Sequence, residues 1–195
     1  VINILPLQDD ERITAMLPVH EYAENQYIFM ATSNGTVKKT PLMDFARQRS
    51  SGLIAIELEE DNTLISAAIT DGSRDVMLFS SSGKVIRFKE SDVRAMGRTA
   101  KGVRGIRLKP EQQVIALMIP KDEGKILIAS KNGYGKRSHF EDFSVIGRGG
   151  QGMIGMKMSE RNGEVVGAIQ VFPGEESILI SDQGTLVRIR TEDVS

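Results

Sequence analysis

Four cations recur in this chain at one fixed offset, and a repeated cation suggests a repeating anionic ligand. They are Lys39, Arg87, Arg137 and Arg188, each four residues after a glycine: Gly35, Gly83, Gly133 and Gly184. Those glycines lie 48, 50 and 51 residues apart. A second basic set occupies three connecting turns, 47–52, 97–102 and 147–152, which supply Arg47 and Arg49, Arg98 and Lys101, and Arg148. Each turn also carries glycine or another small residue, which lets the backbone approach a phosphate while the cation pairs with it. Lys38, Lys84, Arg104 and Lys136 flank these positions and complete the candidate anion-binding set.

Other chemistry is poorly supplied. There is no cysteine, so disulfides and thiolate nucleophiles are excluded. The two histidines, His20 and His139, occupy unrelated repeat positions and form no metal-ligand or triad pattern. No basic turn ends in Gly-Lys-Ser/Thr, and no helix pattern follows one, so a nucleotide loop is not expected. Tyr22, Tyr27 and Tyr134 read as packing or turn residues. No catalytic group, metal site or cofactor is therefore expected. No apolar run approaches the roughly 18–20 residues that span a bilayer, and no secretory signal opens the chain. The absence of cysteine is compatible with the cytoplasm.

The formal net charge is only −1, so any nucleic-acid role must rest on where the charges sit. Between positions 84 and 109 there are nine basic residues against two acids, Glu90 and Asp92. Acids cluster instead at 9–11, 57–61, 122–123 and 175–176. In the repeat frame, bases follow the turn glycine and acids gather between units. Stacking the units would put bases along one rim and acids along another.

The elements that must position these groups read as strands. Runs at 27–32, 76–80, 125–130 and 177–181 are short and apolar, and each enters a turn ending in glycine. Asn34-Gly35 and Asn132-Gly133 are strong two-residue hairpin signals, because both residue types tolerate positive φ. Return strands such as 85–89 and 186–190 follow. Further runs recur at 13–17, 64–69, 114–119 and 165–171, and a fourth set at 53–58, 103–108 and 153–158. An aspartate stands nine after each glycine (Asp44, Asp92, Asp142, Asp193) and is expected to cap a helical or Asx turn. Arg87 shares a strand face with Val85, so pairing with that aspartate competes with ligand binding. Four strands per period of about 50 residues make a propeller blade, which needs neighbours to bury its faces. The expectation is one all-β domain over 1–195, with repeats at roughly 1–52, 53–102, 103–152 and 153–195. The chain starts after one connecting turn and stops before another, as a piece of a longer array would.

Longer runs carry a resemblance. The run from Phe88 to Gly97 (FKESDVRAMG), the run from Gly102 to Leu108 (GVRGIRL), Asn132-Gly133-Tyr134-Gly135-Lys136-Arg137, Glu160-Arg161-Asn162-Gly163 followed by Val165-Val166-Gly167-Ala168, and the opening seven residues resemble the C-terminal domain of bacterial DNA gyrase A, part of a type II topoisomerase. The resemblance spans essentially the whole chain. It implies a β-pinwheel, a disc of four-stranded blades that exchange strands, here with about four blades. It also implies a non-catalytic domain that binds, bends and wraps double-stranded DNA on its outer rim, the cleaving tyrosine and ATPase site lying in other regions. The partners it implies are the remainder of the gyrase A polypeptide and the gyrase B polypeptide. Together these form an A2B2 heterotetramer that supercoils DNA with ATP, in the bacterial cytoplasm at the nucleoid. One departure stands out. The family's wrapping box, Gln-Arg-Arg-Gly-Gly-Lys-Gly, has no full copy here. Residues 146–152 keep Arg148, Gly149, Gly150 and Gly152, and residues 96–102 keep Arg98, Lys101 and Gly102. The alternative from the repeats alone is a propeller-like protein-interaction scaffold.

Overall fold

A computed structural model describes residues 7, 11–47, 49 and 52–195. In chain order the strands are β1 (Tyr27–Thr32), β2 (Thr36–Pro41), β3 (Leu64–Thr70), β4 (Asp75–Ser80), β5 (Lys84–Lys89), β6 (Val103–Arg104) and β7 (Val114–Met118). They continue as β8 (Lys125–Ser130), β9 (Gly135–His139), β10 (Met153–Ile154), β11 (Val165–Val171), β12 (Glu176–Ile180) and β13 (Leu186–Arg190). All pairings between them are antiparallel. Among the described residues they form four sheets, in the orders β3-β1-β2-β6, β7-β4-β5-β10, β11-β8-β9 and β12-β13. Each of the first two sheets takes its fourth strand from a later unit: β6 follows the second hairpin yet pairs with β2 of the first. In the same way β10 follows the third hairpin and pairs with β5 of the second. This is the strand exchange expected of a pinwheel. β3, β7 and β11 contact one another in series and form the inner edges, which leaves β6 and β10 on the outer rim.

The strands expected at the four hairpins and at 64–69, 114–119 and 165–171 match the structure to within a residue or two. Four other runs do not. The runs at 103–108 and 153–158 supply only two paired residues each, and 13–17 and 53–58 form no strand. An apolar run becomes a strand only where a neighbouring backbone offers free donors and acceptors. Beyond Arg104, the Gly105 and Ile106 amides turn instead onto the Gly35 carbonyl, at 2.8 and 3.3 Å.

The hairpin turns also differ from the two-residue type. The Gly35 amide donates to the Thr32 carbonyl (3.0 Å), and the same bond recurs as Gly83 to Ser80, Gly133 to Ser130 and Gly184 to Ser181. Only the glycine takes positive φ, at +87°, +76°, +81° and +79°. The loops are therefore longer turns closed by a left-handed glycine, and Asn34 and Asn132 keep ordinary φ. A hydroxyl three residues before the glycine closes the same loop: Thr32, Ser80 and Ser130 donate to the carbonyls of Thr36, Lys84 and Tyr134, each at 3.2 Å. After each return strand the repeated aspartate closes a 3₁₀ turn, as in Glu90–Asp92 and Phe140–Asp142. At the third, Asp142 accepts the His139 amide at 3.1 Å.

β4 shows how the sheets stack. Val76 and Leu78 pack with Phe29, Val37 and Ile106 toward the first sheet. Met77 and Phe79 pack with Ile126, Ile128 and Phe143 toward the third. Successive side chains point to opposite faces, and both faces are covered, so the strand is apolar from Val76 to Phe79.

Candidate nucleic-acid interface

The cations four residues after the turn glycine are the most regular in sequence, and the fold uses most of them to join neighbouring sheets. Lys39 Nζ donates to the Glu90 carbonyl (3.2 Å), lies 3.9 Å from the Glu90 carboxylate and sits 5.1 Å from the Tyr27 ring centre. Arg87 Nη1 donates to the carbonyls of Phe140 and Phe143, at 3.0 and 3.2 Å, with its guanidinium over the Phe140 ring. Arg137 Nη2 reaches the Glu192 carbonyl at 3.3 Å. In each case a return strand holds the 3₁₀ turn of the next unit. The backbone repeats the link, since Met96 donates to the Lys39 carbonyl and Ile146 to that of Arg87, both at 2.8 Å. Arg188 is exposed and pairs with Glu176 across its own hairpin.

Arg87 does pair with an acid, but not with the repeated aspartate. Its partner is Asp75, across the hairpin at 2.5 Å, with both side chains close to nine-tenths buried. Lys89 meets the other Asp75 oxygen at 2.5 Å. Burial pushes the Asp75 carboxyl up, but hydrogen bonds from Lys89 and Arg87 outweigh it and hold the group below the usual carboxylate range. The sequence signal for Asp75 is Glu176 at the same offset before its own glycine, which only two of the four units carry.

Lys38 lies inside the molecule as well. It is fully buried, and its Nζ donates to the Ala55 carbonyl at 2.9 Å and to that of Arg98. Burial, then the Arg98 charge, lowers its pKa from the ordinary lysine value. Its role is to clamp the 97–102 turn and the 53–58 segment onto β2. Lys38, Lys39 and Arg87 are thus withdrawn from the accessible set, because a sheet stacked on both faces must tie its charges to carbonyls and carboxylates inside.

The turn cations lie outside. Arg47, Arg49, Lys101 and Arg104 are exposed, and their side chains make no ion pair with another described residue. Arg98 donates one nitrogen to the Ile54 carbonyl at 3.4 Å. Arg148 occupies the same place one period later, with Nη1 on the Arg104 carbonyl (3.1 Å) and Nε on that of Asp92 (2.9 Å). Each guanidinium is oriented by carbonyls and keeps other donors free for a ligand. Lys136 is exposed, with Nζ on the Gly155 carbonyl (3.2 Å), and Lys84 is half-buried, 3.4 Å from Gln151 Oε1. Turns 97–102 and 147–152 and strands β6 and β10 make up the outer edge, so these cations share it. Arg107 and Lys109, which the turn and hairpin patterns do not single out, extend the same edge. Both are exposed and likewise unpaired among the described residues. Their signal in the sequence is the dense basic run itself. Residues 48, 50 and 51 of the turn at 47–52, and residues 1–6 of the opening run, lie outside the described residues. Among the described residues no cluster of His, Cys, Asp or Glu could hold a metal ion, and no helix is long and apolar enough to cross a membrane.

Comparison with known proteins places this geometry. The model of the DNA gyrase C-terminal domain, β-propeller, matches residues 26–71, 74–121 and 124–171. The DNA gyrase A polypeptide of Klebsiella oxytoca is 54% identical over the whole chain, and that of Escherichia coli K12 is 51% identical. The chain spans 22% of the length of each, a share that corresponds to the C-terminal domain and not to the catalytic part. Among solved structures, the C-terminal domain of DNA topoisomerase IV superposes with a TM-score of 0.92 at 26% identity, covering 99% of this chain and 61% of that one. A DNA gyrase A C-terminal domain gives 0.84 at 29%, covering 96% and 63%. With exchanged strands, stacked hairpins and matches across three successive units, the chain belongs to the family of DNA gyrase C-terminal β-propeller domains.

Proposed function

We propose that this chain, as one continuous array over 1–195, binds double-stranded DNA along its outer edge and bends it around the disc. In that reading it serves the negative supercoiling carried out by a whole gyrase, an A2B2 assembly of gyrase A and gyrase B polypeptides in the bacterial cytoplasm. The observation that carries the proposal is the repetition of an oriented arginine on the rim: Arg98, half-buried, and Arg148, exposed, in equivalent turns, each held by a carbonyl of the preceding outer segment. Cations at such spacing displace counterions from successive phosphates, an attraction that is independent of base sequence and weakens with salt. Because the positions recur around a disc, the duplex that meets them all is curved. Smooth bending of a short site costs about 1–6 kcal/mol, which several phosphate contacts offset.

The test is a short duplex labelled at both ends, titrated with the chain across a salt series. Binding that weakens with salt while the ends approach supports the reading. Arg98→Glu with Lys101→Glu is expected to lower affinity at least about tenfold at low salt and to reduce the salt slope by about 2, with the fold intact by circular dichroism. Unchanged affinity would remove this turn as a contact. No binding by the parent chain, even at low salt, would leave the fold as a protein-docking surface.

A further inference from the structure

The rim cations are not evenly shared among the repeats, and the unevenness has a sharp edge. Aligned on Gly52, Gly102 and Gly152, the outer segments place Glu57, Arg107 and Lys157 at one position, and Glu59, Lys109 and Ser159 at another. At both positions the first segment carries an acid where the second carries a base. All four of Glu57, Glu59, Arg107 and Lys109 are exposed. The first segment is still docked on the rim, since Ala55 accepts Lys38 Nζ and Ile54 accepts Arg98 Nη1. Glu57 and Glu59 therefore line a cleft of about 220 Å³ together with Lys101 and Arg104, two of the rim cations, without forming an ion pair with either.

We infer that Glu57 and Glu59 form an electrostatic boundary: Arg98 and Lys101 are the last rim cations the duplex meets on this side, and phosphate contacts run from them toward Arg104, Arg107 and Lys109 and not onto the 53–59 segment. This rests on the DNA-binding reading above. Two carboxylates across a narrow cleft from the contact cations repel an approaching phosphate over a distance within the Debye length of about 8–10 Å. They also lower the local field that Lys101 presents. The fold does not need them there. Their side chains make no hydrogen bond or ion pair with another described residue, and the equivalent segment one period later carries Arg107 and Lys109 at these positions.

The experiment exchanges the charges between the two repeats. Glu57→Arg with Glu59→Lys gives the first segment the residues of the second. The protected length of a long duplex, read by hydroxyl-radical footprinting, should extend by several base pairs. Affinity at low salt should rise roughly fivefold or more, with a salt slope steeper by about 1–2. Glu57→Gln with Glu59→Gln removes the repulsion without adding contacts and should give a smaller rise in affinity. Footprint and affinity unchanged in both folded variants, while the parent binds and Arg98→Glu with Lys101→Glu weakens it, would overturn the boundary but keep the rim. A parent chain that does not bind overturns both.

Discussion

Arg87 shows how much a single position can hide. Its sequence context reads as a ligand cation, yet its guanidinium pairs with Asp75 of its own hairpin and ties that hairpin to the next unit through two carbonyls and an aromatic ring. Repetition signalled that the position matters, but it could not separate a ligand contact from a link between repeats, because both recur with the same period. The partner was harder to see, since Lys39 has a tyrosine where Arg87 has Asp75. The acid makes the link sensitive to pH. Because the folded pKa of Asp75 is depressed, its contribution is complete above the unfolded value of about 3.9 and is lost as pH falls through the folded value. Urea melts between about pH 7 and pH 2.5 should show this loss below about pH 4 in the parent. In Asp75→Asn stability at neutral pH should already be lower by about 2–3 kcal/mol, because Arg87 and Lys89 lose their counter-charge, and its acid limb should be flatter. Parallel acid limbs in the two proteins would show that Asp75 stays outside the acid transition.

At the level of elements, the hairpins were legible because their turns need a residue that accepts positive φ, and glycine at a fixed period announces it. What covers the turns was not legible. A Cβ on Gly83 would lie 2.1 Å from the Met156 carbonyl oxygen, whereas one on Gly133 meets nothing within 4 Å. Both have positive φ, so alanine strains either by about 1–2 kcal/mol. Only at Gly83 must the crossing segment of a later unit also move. Gly83→Ala should therefore cost at least about 2 kcal/mol more than Gly133→Ala in chemical denaturation, and equal costs would show that the crossing segment yields freely. The short outer strands fall under the same limit. Their apolar pattern over 103–108 and 153–158 reports burial, but how many residues pair depends on a neighbour's backbone that the run itself does not encode.

For the whole molecule, the period of about 50 residues announced an array of like units, and the rim follows from stacking them. The unequal environment of those units did not follow. β4 is covered on both faces and flanked by β7 and β5, whereas β12 and β13 pair only with each other among the described residues and are largely exposed. Amide exchange tracks such local coverage, so protection should be highest in β4 and fall steadily toward β12 and β13. Uniform protection across the hairpins would mean that the array opens only as one unit. The candidate interface divides the same way. The turn cations were visible from composition beside glycine, whereas the burial of Lys38 and Lys39 is a property of stacking.

The exchange of outer strands also limits how such an array can change length. Since β6 and β10 complete sheets begun in an earlier unit, a lone hairpin cut out of either four-stranded sheet would leave two strands, one inner and one outer, without a partner. A segment one full period long carries as many strands given as received, wherever the cut falls. Duplication or loss is thus compatible with the fold only in whole periods, and each one lengthens or shortens the outer edge by a fixed step.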